Sequence, residues 1–203
     1  PPRQRVYPRF MDAGAGPDLR PANHLKERDV SKSGAHGAEP RPLSAAKPPA
    51  GLKGRLRVPG DKSISHRALM FGALATGTTR ITGLLEAEDV LNTAKAVSAL
   101  GASATKSDGT WTVLGRGTGG LKQPGTPIDF GNSGTGTRLM MGVVAGHGIA
   151  VTMTGDASLS RRPMGRVLKP LRQMGLVTRE DRDTLPLTVE GTDRLLPIEY
   201  ELP

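Results

Sequence analysis

From Gly51 onward, apolar residues recur in short blocks whose spacing alternates between two periods. Leu56-Arg57-Val58 reads as a short strand that ends at Pro59-Gly60. Ser63 then stands where an N-cap belongs, ahead of Ile64, Ala68, Leu69, Phe71 and Leu74 at helical spacing. A strand over Thr79–Leu84 follows, then a helix with Val90, Leu91, Ala94, Val97 and Leu100 on one face, with Gly101 at the C′ position. Two strands, Ala102–Thr105 and Thr110–Leu114, turn at Ser107-Asp108-Gly109.

The same order then returns. Ile128-Asp129-Phe130 is a strand, Thr135–Val144 a helix and Ala150–Thr154 a strand. A helix over Pro163–Met174 carries Met164, Val167, Leu168, Leu171 and Met174 at helical spacing, with Gly175 as its stop. Strands near Leu176–Thr178 and Leu185–Val189 close the unit. Gly60, Asp61 and Arg67 stand 71 positions before Gly131, Asn132 and Arg138; Thr82-Gly83 stands 72 before Thr154-Gly155. Leu100-Gly101 stands 74 before Met174-Gly175, and Thr112-Val113 stands 76 before Thr188-Val189. A slowly growing offset is what small loop insertions between duplicated units produce. Each unit reads β-α-β-α-β-β, and Ile198-Glu199-Tyr200 opens a third.

Composition changes the picture at one end. Nine of the 17 prolines lie in residues 1–50, without sustained apolar periodicity. Such a stretch cannot bury enough surface to offset its chain entropy, so residues 1–47 are expected to be a disordered tail ahead of a domain over 48–203. The chain opens on Pro1 and stops within a strand-like run, and so reads as a piece of something longer. There is no cysteine, which excludes disulfides, thiolate metal sites and a cysteine nucleophile in this stretch. No apolar run is long enough for a membrane span and no hydrophobic signal segment opens the chain.

The formal net charge of +9 raises the question of nucleic acid. Residues 1–50 hold nine basic against five acidic residues, leaving 19 against 14 for the remainder. That mild, diffuse basicity, with aromatic residues at 3%, lacks the cation runs and stacking platforms of a nucleic-acid module and suits small anionic substrates.

Chemistry concentrates in three segments. In Pro59-Gly60-Asp61-Lys62-Ser63-Ile64-Ser65-His66-Arg67 a glycine turn delivers Lys62 and Ser63 to a helix start, where backbone N–H groups favour an anion. It is not a Walker loop, since Asp61 separates Gly60 from Lys62. A lysine there opposes the helix dipole, and Arg161-Arg162-Pro163 sets two more cations at the expected start of another helix. Two adverse starts suggest that bound anions complete them, with Arg67 adding a bidentate fork. The third segment, Gly131-Asn132-Ser133-Gly134-Thr135-Gly136-Thr137-Arg138, is a polar glycine turn that lets a ligand approach the backbone. His66 and His147 have no metal-spaced partners and read as structural or solvated; Asp156, Glu88 and Asp89 read as helix caps or solvent-facing acids.

The runs PGDKSISHR at 59–67, GNSGTGTR at 131–138 and GDASLSRRPMGRVLKPL at 155–171 resemble 5-enolpyruvylshikimate-3-phosphate synthases of the bacterial class II branch, over residues 51–203. The resemblance implies an inside-out α/β barrel of βαβαββ units, three per domain, with substrates held in the cleft between two domains. It implies transfer of the enolpyruvyl group of phosphoenolpyruvate to the 5-hydroxyl of shikimate 3-phosphate, with release of phosphate and without metal or organic cofactor. Lys62 is then the residue that contacts both substrates, and with Arg162 it forms the catalytic pair. Ser63 and Arg67 hold shikimate 3-phosphate, Gly134 lies against phosphoenolpyruvate, Arg162 grips its charged groups, and Asn132, Thr135 and Arg138 line the same corner. In the family, the acid and base groups lie beyond the position of Pro203, so the chain is expected to be an N-terminal fragment with half a site. A cytoplasmic enzyme, monomeric at full length and without nucleic-acid or membrane partners, is implied. Glycine at 134 further implies sensitivity to glyphosate, which in the family occupies the phosphoenolpyruvate position. Two alternatives stay open: the sister UDP-N-acetylglucosamine enolpyruvyl transferase, disfavoured by the missing cysteine, and a non-catalytic anion-binding fragment.

Overall fold

A computed structural model describes residues 51–201 apart from Leu52. Residues 1–47, expected to form a disordered tail, lie outside the described residues. The first unit comprises α1 (Lys62–Leu74), β1 (Thr76–Thr82), α2 (Glu88–Ala99), β2 (Ser103–Ser107) and β3 (Thr110–Arg116). The second comprises β4 (Ile128–Asp129), α3 (Gly134–Ala145), β5 (Ala150–Thr154), α4 (Ala157–Ser160), α5 (Gly165–Gln173), β6 (Val177–Thr178) and β7 (Leu187–Glu190).

The two sheets repeat one design. Their strand orders are β1-β3-β2 and β4-β5-β7-β6, with the last strand of each unit central between its two antiparallel neighbours. The sequence offsets of 72 and 76 carry the cross-strand pairs Thr79–Val113 and Arg80–Thr112 onto Val151–Val189 and Thr152–Thr188. Offsets of 74 and 76 likewise carry Ala104–Val113 onto Thr178–Val189. Register follows the duplicated pattern because a slip by one residue would turn the buried face of a strand to solvent. Val113, Val151, Met153, Leu187 and Val189 are fully buried, whereas Leu114 is exposed. The β2–β3 hairpin closes through Asp108 and Gly109 at φ 48° and 73°, the positive pair that a tight two-residue turn demands.

Helices fill the inside. α1 packs on β3 and on α2, α3 packs on β7 and α5, and both α1 and α2 meet α3. Leu69, Val90, Val97, Leu100, Phe130, Met140, Met141, Val144, Leu159, Met164 and Leu168 bury completely or nearly so in one continuous core. The outer face of the first sheet stays open; in β1 only Thr79 and Ile81 are partly covered.

Three expectations fail locally. Leu56–Val58 is not a strand: Leu56 and Val58 are 84% and 71% exposed, and no neighbouring strand supplies a ladder for them among the described residues. Residues 198–200 are likewise outside any strand. The helix expected over Pro163–Met174 is shorter, and a one-turn helix, α4, precedes it. No helix among the described residues is long and apolar enough to cross a membrane.

Candidate functional site

The turn before α1 is built on close approach. A Cβ on Gly60 would collide with the carbonyl of Gly83, so only glycine lets this turn lie against the one that follows β1. Asp61, not Ser63, caps the helix: its Oδ1 accepts from the Ile64 N–H at 2.7 Å. A carboxylate three residues back reaches that amide and suits the positive helix end, leaving Ser63 exposed in the first turn. Lys62, also exposed, forms an ion pair with Asp89 in the first turn of α2. The start of α1 is therefore less adverse than the sequence suggested, since Asp61 and Asp89 offset the lysine. One contact takes at most part of the ammonium, which carries three donors. Arg67 donates from Nη1 to the Ser63 carbonyl at 3.1 Å and keeps most of its fork exposed.

The second unit places its cations more tightly. Gly131, at φ +55°, starts the turn, and a side chain there would run into Asn92 on α2. Asn132 then bridges two loops: its Nδ2 donates to Asp156 at 2.7 Å, and its Oδ1 accepts from Arg162 Nη2 at 2.6 Å. Asp156 also caps α4 by accepting from the Leu159 N–H at 2.7 Å. That bond first, and the Asn132 bond second, hold the Asp156 carboxyl below its usual value, so it is an anion wherever the site works. Arg162 reaches Ser158 as well, at 3.3 Å. Arg138 donates to the Gly134 carbonyl at 3.4 Å and to the Pro163 carbonyl at 3.0 Å.

Gly134 is where these groups converge. A Cβ on it would lie 3.2 Å from Nη1 of Arg138 and 3.2 Å from Nη1 of Arg162. A bare backbone flanked by two guanidinium groups offers bidentate donors to a carboxylate or phosphate with no side chain in the way. Thr135 is exposed next to it. Arg161-Arg162-Pro163 is not a helix start, as the sequence suggested. Arg161 is the C-cap of α4, and α5 begins only at Gly165, so a dipole penalty does not explain these cations.

The two turns are joined through α2. Asp89 holds Lys62, while Asn92, one turn on, donates to the Phe130 carbonyl at 3.2 Å, directly before Gly131. Beneath them, His66 of α1 meets Thr93 of α2 at 2.8 Å, and a Cβ on Gly136 of α3 would fall 2.5 Å from Ser133 Oγ and 3.0 Å from Thr93 Oγ1. His66 Nε2 and Ser133 Oγ are buried without a partner at this junction. Thr93 Oγ1, which shares the bond with His66 Nδ1, also lies 3.3 Å from the Asp89 carbonyl. Both histidines are structural: His147 donates to the Val143 carbonyl and accepts from the Gly119 N–H. Asp89 and Asn92 of α2 thus tie the turn that carries Lys62 to the turn that begins at Gly131. Sequence reading missed Asp89, Asn92 and Ser158 as partners, because each acts through a contact that no local pattern marks.

A family model described as EPSP synthase (3-phosphoshikimate 1-carboxyvinyltransferase) matches residues 46–203. A 3-phosphoshikimate 1-carboxyvinyltransferase of Chelativorans sp. (strain BNC1) is 60% identical over 155 residues, covering 75% of this chain and 34% of that protein. One of Parvibaculum lavamentivorans is 61% identical over 160 residues, covering 78% and 36%. Among solved structures, EPSP synthase from Acinetobacter baumannii superimposes with a TM-score of 0.69 at 46% identity, covering 74% of this chain and 34% of that one. The chain spans about a third of the length of the curated relatives it matches. The fold is of the inside-out α/β barrel type that the sequence implied, with the full βαβαββ order in the second unit and no opening strand in the first among the described residues.

Proposed function

Because the chain belongs to the EPSP synthase family, we propose that it forms one wall of a site that transfers the enolpyruvyl group of phosphoenolpyruvate to the 5-hydroxyl of shikimate 3-phosphate and releases phosphate. Both substrates carry a phosphate and a carboxylate, and the observation that carries the reading is the convergence of Arg138 and Arg162 on the bare backbone of Gly134. In this reading Arg162, steadied by Asn132 and Ser158, and Arg138 hold the charged groups of phosphoenolpyruvate, with Asn132 and Thr135 lining the corner. Ser63 and Arg67 hold shikimate 3-phosphate. Lys62, which also pairs with Asp89, touches both in this reading. Charge gathers on the departing phosphate in the transfer, and Lys62 and Arg162 are the preorganised cations that meet it. Residues 48–203 supply two repeat units and the start of a third to the N-terminal domain of a monomeric enzyme of the cytoplasm, and the remaining catalytic groups come from the portion of the relatives that this chain does not match.

A chimera tests this directly. Residues 46–203, joined to the remaining C-terminal portion of the Chelativorans relative, are expected to release phosphate from phosphoenolpyruvate only when shikimate 3-phosphate is present. The same chimera with Lys62→Ala or Arg162→Ala is expected to lose at least about 100-fold in kcat/KM, since each removes charge-assisted bonds worth roughly 1.5–3 kcal/mol apiece. A folded chimera that binds both substrates yet transfers nothing would leave the chain an anion-binding module without a catalytic part.

A further inference from the structure

We propose that the hollow between α3 and α5 is a second anion site, taking a phosphate group beside the Gly134 corner and separate from it. The hollow has a volume of about 680 Å3 and is lined by Arg138, Pro163, Gly165, Arg166, Lys169 and Asp183. That volume lies within the range of small-molecule sites, so a phosphate borne on a small metabolite fits as well as the free ion.

Its charge is one-sided. Arg166 and Lys169 stand three residues apart on α5, hence on one face, where two like charges repel unless something negative lies between them. Arg138 adds a third cation from α3. The one carboxylate of the lining, Asp183, is already engaged by Arg172 at 2.9 Å. Among the described residues no carboxylate pairs with Arg138, Arg166 or Lys169.

The walls are fixed in place. The Met164 N–H donates to the Asp183 carbonyl at 2.7 Å, and a Cβ on Gly165 would fall 2.7 Å from Asp183 Oδ2, so the start of α5 and the loop before β7 are pressed together. Arg138 is pinned on the rim by the Gly134 and Pro163 carbonyls, which leaves donors of its five-proton fork free for a ligand in the hollow. Three cations from two rigid elements around a concavity match the several acceptor oxygens of a phosphate better than the two of a lone carboxylate. Because Arg138 borders both sites, an anion in either lowers the attraction for the other.

The test is a titration of the 203-residue chain with inorganic phosphate at low ionic strength, read by calorimetry and by the amide shifts of residues 165–169. Low salt is required because exposed cations are screened at physiological ionic strength. Two phosphate sites are expected. Arg166→Ala with Lys169→Ala should weaken one at least tenfold and leave the other, and Arg162→Ala should do the reverse. Both Arg166 and Lys169 are exposed, and Arg166→Gln with Lys169→Gln provides a milder pair. Glycerol 3-phosphate in place of phosphate distinguishes the source: equal binding means that the phosphate of a larger molecule is accepted, weaker binding that the free ion is the ligand. The proposal is overturned if only the site lost with Arg162→Ala is found, or if the Arg166/Lys169 pair of substitutions leaves both sites and the residue 165–169 shifts unchanged.

Discussion

A methyl group decides what Gly134 can do. At 3.2 Å from two guanidinium nitrogens and 3.5 Å from Leu159 Cδ1, an alanine Cβ forces both arginine tips to move by a few tenths of an ångström. The tips are ends of flexible side chains, so Gly134→Ala should fold normally. Its effect should fall on ligands, at about 1–3 kcal/mol for whatever must lie closest to the added group. Glyphosate, placed by family resemblance at the phosphoenolpyruvate position and longer than that substrate, should lose at least about tenfold in affinity. Phosphoenolpyruvate should lose less. Parallel titrations of both ligands against the wild-type and Gly134→Ala proteins check this; equal losses would mean that the methyl does not discriminate.

Among elements, the junction of α1, α2 and α3 holds the two turns in relation to each other. Gly136→Ala sets a carbon 2.5 Å from Ser133 Oγ, and should destabilise the protein by about 1–3 kcal/mol in urea unfolding. Adding Ser133→Ala removes that oxygen, so the double variant should recover part of the loss; strictly additive losses would show that the clash lies elsewhere. His66 gives a second readout. Burial, foremost, lowers its pKa below the usual 6.5, with Asp89 acting against that and Lys62 and Arg67 adding to it. The unfolded chain therefore binds a proton that the folded one refuses, and stability should fall as pH drops below about 6.5. Asp156, also lowered, loses its contribution only below about 3.8, outside that window. Thermal unfolding between pH 7 and pH 5 should show the decline in the wild type and a shallower one in His66→Gln. The elements themselves were largely legible, because β5 and the β2–β3 turn are set by alternation and turn chemistry alone. Arg161-Arg162-Pro163 has the sequence pattern of a helix start but is not one, because Asp156 opens a separate turn of helix first and α5 begins only at Gly165. Asp61 and Ser63 are both good cap residues by type, and the backbone decides for Asp61 over the expected Ser63. Leu56–Val58 carried a strand pattern that only a neighbouring edge could realise.

Across the molecule, duplication explains why two similar turns exist and why they differ. Gly60 and Gly131 occupy equivalent places, and Arg67 and Arg138 each donate back to the carbonyl four residues earlier, Ser63 in one unit and Gly134 in the other. The first unit then offers a lysine, the second a backbone corner between two arginines, so one fold element repeated presents two different cationic turns. If the turns act together on one ligand, a change in either should be felt by the same molecule. Phosphoenolpyruvate binding to the chain in the presence of shikimate 3-phosphate, followed by 31P NMR, reads this. Lys62→Ala and Arg162→Ala should each weaken it at least tenfold, the loss of about one charge-assisted bond. Phosphoenolpyruvate affinity unchanged in Lys62→Ala and abolished in Arg162→Ala would contradict a shared site, and leave Lys62 as a surface lysine paired with Asp89.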